Sequence, residues 1–335
     1  MNTRINKFDL KINIKLFNFI NNEVLPNTGI SENNFWQGFS KLIYKFNHIN
    51  IQLIKKRHIL QDKINQWNLE NISNKFNYDS YINFLKKIDY LVDEKSDFKI
   101  DTKNIDQEIA KISGPQLVVP ITNARYVLNA ANSRWGSLYD AIYGTNVLGT
   151  KPDSKKYDLK RGEKVIKYAK KHLDLFAPLI NANWCDVSKI KIVNKEVKFE
   201  INHASFSSLK NTNQLVGFKK NPKNNINELV LKKNNLHCRI ILDPDNLIGK
   251  NDIANISDII LESAISAIID CEDSVATVDT EDKILAYKNW LGLMKGNLKS
   301  EFSKNNKIIK RSLNEDIELT DISNNKFFLK GRSLL

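Results

Sequence analysis

Two short stretches hold the residues best suited to chemistry. In CEDSVATVD, Glu272 and Asp273 follow the apolar run AISAIIDC and precede a helix start. Adjacent carboxylates in such a place can ligate a divalent cation or orient its water. The same pair equally suits a solvated loop that leads into a helix cap. In NARYVLNAANSRWG, Arg125 and Tyr126 follow the run QLVVPIT. A guanidinium presents a planar fork of donors to phosphate, and an aromatic neighbour suits a stacked base. Read separately, Tyr126, Leu128 and Trp135 are ordinary core and Arg125 is a surface charge. The residues alone leave both choices open. No P-loop, GxGxxG or CxxC accompanies them, and no Ser or Cys stands in a pattern that suggests an ordered nucleophile.

Arginine is scarce in this chain, with eight among 51 basic residues. Lys, Asn and Ile dominate instead, and the basic residues are spread along the chain. The net charge of +13 therefore reads as a bias of composition, and a nucleic-acid-binding reading is set aside. Where a lysine-biased chain uses Arg, the fork of donors is the reason to expect. Arg125, Arg134, Arg311 and Arg332 lie in or near the unusual stretches. The segment 114–144 stands out further, with three glycines, two arginines and one acidic residue, Asp140.

These residues need elements to position them. Phe35, Trp36, Phe39, Leu42, Ile43 and Phe46 follow one helix face, with Ser31 as N-cap. A second helix is expected over Ile54, Leu60, Ile64 and Trp67, and a third from near Asp79. Residues 1–92 thus read as a helical domain, and 93–115 as a charged linker. QLVVPIT predicts a buried strand, parallel in type, and NARYVLNAAN a helix that Gly136 breaks or bends. KVIKYAKKHLDLFAPLI reads as helix, KIKIVNKEVKFEI as a hairpin and HCRIILD as a strand. Ile253, Ile256, Ile259 and Ile260 mark a helix, AISAIIDC a buried strand, and Asp279 the cap of a helix that stops near Gly296. Helix, strand, acidic loop and helix in that order fit a β/α barrel, whose chemistry collects beyond the strand ends.

The chain's 335 residues suffice for two domains or one with an insertion, and 41% hydrophobic content is that of a globular protein. No apolar run reaches the roughly 18 residues of a membrane span, and the N-terminus lacks a signal peptide's pattern. Cys185, Cys238 and Cys271 share no metal-like spacing and cannot all pair. A reducing cytoplasm is expected.

The order of three blocks is more specific than any single residue. GPQLVVPITNARYVLNAANSRWGSLYDAIYGT, IIDCEDSVATVDTEDKILAYKNWLGLMKG and LKGRSLL together resemble the malate synthase G family. The resemblance is strong over 114–150 and 250–296, fair over the rest of 114–335, and weak before that. It implies an α/β fold with a helical N-terminal clasp, the beginning of a TIM (β/α)8 barrel and an inserted α/β domain, the barrel being incomplete. On that reading 116–134 is the first barrel strand and its exit, and 135–262 the inserted domain. Residues 263–295 are the second strand and helix, 296–331 the return of the inserted domain, and 332–335 the start of a third strand.

The family joins acetyl-CoA to glyoxylate with Mg2+ and hydrolyses the product thioester to malate. By motif position the resemblance carries acetyl-CoA contacts onto Val118, Arg125, Tyr126, Ser274 and Arg311. Glu272 and Asp273 match an acidic pair near the metal and take a supporting role behind its ligands. The catalytic residues and Mg2+ ligands are expected beyond Leu335, so the chain as given is expected to be inactive. Arg332 matches the Arg within GRSLL, not the catalytic one. Val127, Ser133 and Thr277 stand where Ala is expected, and Arg239 where an acid is. The partners implied are acetyl-CoA and glyoxylate, with no nucleic acid or membrane, and a monomer at full length. A CoA-binding module without catalysis is the alternative.

Overall fold

The computed structural model describes residues 3–72, 75–152, 156–304 and 307–335. The chain divides into two compact units, Met1–Lys103 with Asp279–Ile284, and Asn104–Val278 with Leu285–Leu335. No helix among the described residues is long and apolar enough to cross a membrane.

The first unit opens on a hairpin, where helix was expected. Strands β1 (Arg4–Lys7) and β2 (Leu10–Asn13) pair across Phe8 and Asp9, both at positive φ. Helix α1 (Ile14–Phe19) follows directly. Helix α2 (Glu32–Glu70) starts where the sequence places it, with Ser31 Oγ accepting from the Asn34 amide at 3.2 Å. It then runs unbroken for 39 residues. The expected second helix is therefore its continuation, because no Gly or Pro stands between Phe46 and Ile54 to stop it. Trp36 is buried under α2, stacked on Phe17 at 5.4 Å, and its indole donates to Asn21 Oδ1. Helix α3 (Tyr78–Lys87) begins where expected, one residue before Asp79, and is capped by Asn77. Its Tyr81 and Phe84 pack on Trp67 of α2, at 4.7 and 5.5 Å.

The second unit begins with the short helix α4 (Gln107–Ala110), strand β3 (Gln116–Pro120) and helix α5 (Ala124–Asn132). Strand β4 (Trp135–Ser137) and helices α6 (Leu138–Gly144) and α7 (Leu159–Phe176) come next. Strands β5 (Val187–Val193), β6 (Glu196–Ile201) and β7 (Ser205–Ser207) form a three-stranded sheet. Strands β8 (Leu215–Lys220), β9 (Ile226–Lys233), β10 (Leu236–Leu242) and β11 (Ile256–Glu262) are antiparallel neighbours. Strand β12 (Ser266–Asp270), helix α8 (Thr280–Met294) and the hairpin β13 (Lys299–Lys304)–β14 (Lys307–Ser312) lead to β15 (Ile317–Thr320) and β16 (Lys326–Leu329). The largest sheet has the order β16-β15-β8-β9-β10-β11-β4. Its core side carries Leu229, Leu231, Ile240, Ile256 and Ile259 against Val165, Ala169 and Leu173 of α7.

Three expectations need correction. The isoleucines 253–260 lie mostly in strand β11, not a helix. A register shift against β10 beside Ser257 puts Ile256 and Ile259, three residues apart, into one buried cluster, and that imitates helical spacing. Helix α5 ends at Asn132, so Gly136 neither breaks nor bends it but sits in β4. Strand β3 is parallel to β12, as its composition suggests, yet its side chains are largely exposed.

Two-residue turns make use of the chain's asparagines. Asn194 and Lys195 link β5 to β6, and Asn234 and Asn235 link β9 to β10, all at positive φ. Asparagine tolerates that left-handed conformation better than other side chains, so few glycines are needed.

The parallel pair and the seven-stranded sheet exchange the chain at neighbouring points. It leaves at Arg134, returns at Glu262 and returns again near Arg332. All three meet on the buried Arg134 guanidinium, whose Nη1 donates to the Arg332 carbonyl and to Glu108 Oε1, each at 3.2 Å. Glu262 takes the other side of the guanidinium and also accepts from the His237 amide at 2.9 Å. Glu108, in the stretch read as linker, is thus buried in the second unit.

Candidate functional site

Strands β3 and β12 run parallel in register, with Val118 opposite Ile268 and Pro120 opposite Asp270. Their C-terminal ends therefore open on the same side, where ligands of open and closed parallel sheets collect. Leu334 adds a parallel bridge to Ser266 on the other flank of β12. Val118 is 60% exposed in the middle of β3.

The exit of β3 becomes a helix within three residues. Asn123 Oδ1 accepts from the Tyr126 amide at 3.1 Å and caps α5. Val127, Leu128 and Ala131 turn into the core, which leaves Arg125 and Tyr126 exposed in the first turn. Tyr126 is 53% exposed, so the reading of it as ordinary core does not hold.

The exit of β12 is organised by Asp270, which the sequence reading passed over. Its carboxylate accepts from the amides of Glu272 and Ser274, at 2.9 and 2.8 Å, and from the Ser274 hydroxyl. The Ser274 hydroxyl and these amides hold the Asp270 carboxyl below the usual carboxylate range. An Asp followed two and four residues on by amides facing it is an Asx turn, and its signal is the Asp that ends the apolar run. The loop is fixed, and Glu272, Asp273 and Ser274 are exposed on it. Asp279 Oδ1 then accepts from the Asp282 amide at 2.9 Å and starts α8, which stops with Gly296 at φ 70°.

The remaining predicted residue, Arg311, comes from β14. Its hairpin is fastened to α5: Asn132 donates to the Ser312 carbonyl and accepts from the Asn314 amide, both at 2.8 Å. Leu298 and Leu313 at the hairpin's roots join Val127, Leu128 and Ala131 in one buried cluster. This brings Arg125 and Arg311 onto one ring. The Arg125 guanidinium lies 4.0 Å from the Phe302 centroid, and that of Arg311 lies 5.7 Å from it. Among the described residues, no carboxylate forms an ion pair with either arginine. Two guanidiniums without an acid partner among the described residues thus stand at one aromatic ring. Sequence reasoning found both arginines and missed the phenylalanine between them, because nothing local links residue 125 to residue 302.

Among the described residues, no group of three or more His, Cys, Asp or Glu side chains could hold a metal ion. Asp270 is committed to its loop, and Glu272 with Asp273 supplies two exposed carboxylates. These residues do not make a self-sufficient Mg2+ site.

Comparison with known proteins gives the same family in two separate parts of the chain. Residues 15–78 match the family model described as the malate synthase N-terminal domain, and residues 157–233 the one described as the malate synthase G alpha-beta insertion domain. A malate synthase G of Halalkalibacterium halodurans is 42% identical over 330 residues, covering 98% of this chain and 45% of that protein. One of Corynebacterium glutamicum is 41% identical, covering 99% of this chain and 45% of that protein. One of Corynebacterium efficiens is 41% identical over 96% of this chain and 43% of that protein. The chain thus spans a little under half the length of the relatives it matches.

Proposed function

For a chain that belongs to the malate synthase G family, we propose that the exits of β3 and β12 form an acetyl-CoA site serving a malate synthase. Arg125 and Arg311 bind anionic oxygens of the nucleotide end. Tyr126 offers its exposed ring to the base, and Val118 with Ser274 lines the path toward the strand ends. In this reading β3, β12 and the segment at Leu334 are the first strands of a (β/α)8 barrel. The large sheet with α7 is the domain inserted into it.

The reaction adds the acetyl methyl of acetyl-CoA to glyoxylate and then hydrolyses the thioester. The methyl is a weak acid, so its carbon must be held against a base while the nucleotide is anchored far away. This chain's part is the anchoring. Mg2+ belongs to the whole reading as its cofactor. Glu272 and Asp273 would serve it as outer partners, through water.

One observation carries the proposal: two arginines without acid partners among the described residues share the Phe302 ring beside two parallel strand exits. Calorimetry of acetyl-CoA with the 335-residue chain tests it. Saturable binding is expected, weakened roughly 10- to 150-fold by Arg125→Ala or Arg311→Ala. Unaltered affinity in both variants would remove the site from this place.

A further inference from the structure

Arg125 and Arg311 carry like charges and come from elements 186 positions apart in the chain, yet converge on one ring. With no carboxylate paired to either among the described residues, their repulsion opposes that convergence. The structure contains the compensating group. Phe302 stands in β13 opposite Ile309, and Arg311 stands opposite Ser300, so Phe302 and Arg311 are diagonal neighbours on one face of the hairpin. Arg125 approaches the same ring from α5, against which the hairpin is packed. The negative face of an aromatic ring attracts a guanidinium and limits the rotamers of a long side chain.

We propose that Phe302 is a positioning residue, whose ring holds Arg125 and Arg311 together as a single two-guanidinium clamp for the anionic end of the ligand. This rests on the reading of the strand exits as an acetyl-CoA site and adds a residue to it. Phe302 itself needs no contact with the ligand. Its effect is exerted wholly through the two arginines, by lowering the cost of ordering and juxtaposing them before binding.

The test is a coupling measurement on the 335-residue chain, with CoA as the calorimetric probe and circular dichroism as the check of folding. Phe302→Leu keeps an apolar side chain on the hairpin and removes the ring. It is expected to weaken CoA binding roughly 5- to 30-fold, the loss of two cation–π contacts. Phe302→Trp restores the face and is expected to recover affinity to within about 3-fold of the parent. In an Arg125→Ala/Arg311→Ala background, Phe302→Leu should cause no further loss. An equal loss in that background would mean that Phe302 acts independently of the arginines, and would overturn the proposal. Unchanged CoA affinity in Phe302→Leu, with Arg125→Ala still weakened, would overturn it while leaving the acetyl-CoA site intact. Failure of the parent chain to bind CoA would overturn both readings.

Discussion

Arg134 and Glu262 meet with two guanidinium nitrogens on one carboxylate oxygen, Nε at 2.8 Å and Nη2 at 2.6 Å, and both side chains are buried. The pair closes the point where the chain leaves the parallel strands and comes back to them. Removing one member leaves the other charged and dry. Arg134→Ala is expected to cost about 3–5 kcal/mol of stability. Urea unfolding of the chain measures it. Pairing Arg134→Met with Glu262→Leu should recover part of that loss, because the Glu262 charge goes with its partner and Glu108 keeps its ion pair with Lys330. A double variant less stable than Arg134→Ala would argue against the pairing as the cause.

Acid should attack the same place. Burial pulls the Glu262 carboxyl upward, but hydrogen bonds from the His237 side chain and amide, with the Arg134 charge, hold it below its ordinary 4.5. Glu108 is also lowered, its burial outweighed by hydrogen bonds that include those from Lys330 and Arg134. A depressed folded pKa gives stabilisation that is present above the unfolded value and lost as pH falls through the folded one. Thermal unfolding from about pH 6 to about pH 3 should therefore show a steeper decline for the parent than for Glu262→Gln. Parallel profiles would show that this carboxylate does not govern the acid limb.

Gly331, in the KGRSLL block, gives a prediction of another kind. A Cβ there would lie 1.8 Å from the Glu315 carbonyl oxygen, which is backbone and cannot swing away. The Gly331 amide also donates to Asp316 Oδ1 at 2.9 Å. Gly331→Ala should cost at least about 2 kcal/mol by displacing backbone, measured by denaturant unfolding. A change under about 0.5 kcal/mol would mean that this turn yields easily.

Arg125→Lys separates geometry from charge. Lysine keeps the positive charge and gives up the planar fork and its stacking on Phe302. Affinity for acetyl-CoA should fall between those of the parent and Arg125→Ala, by roughly 3- to 10-fold from the parent. Equality with the parent would mean that charge alone suffices at this position.

The legible parts of the fold were those set by local chemistry. Ser31 announced α2, Asp279 announced α8, and QLVVPIT with AISAIID announced two strands that do pair in parallel. The illegible parts were set by distant neighbours. Strand β11 reads as helix because a register shift in its pairing with β10 sends Ile256 and Ile259, three residues apart, into one core. Glu108 looks like a linker charge until Arg134 is placed beside it. Arginine scarcity pointed toward Arg125 and Arg311, but their convergence needed a hairpin whose packing on α5 has no local signature.

The excursion of the chain into the seven-stranded sheet begins and ends at touching residues. The Ser263 amide donates to the Arg134 carbonyl at 2.7 Å, and the Gly331 amide donates to the Asp316 carboxylate at 2.9 Å. Topologically the sheet is a cassette, held by two closed gates. Closing a longer loop adds only a logarithmic cost, so what lies between 135 and 262 can grow or shrink without disturbing either gate. The parallel strands and their exits are therefore insulated from the history of the cassette. Each can be remodelled while the other stays fixed, and Arg134 is where such independence is enforced.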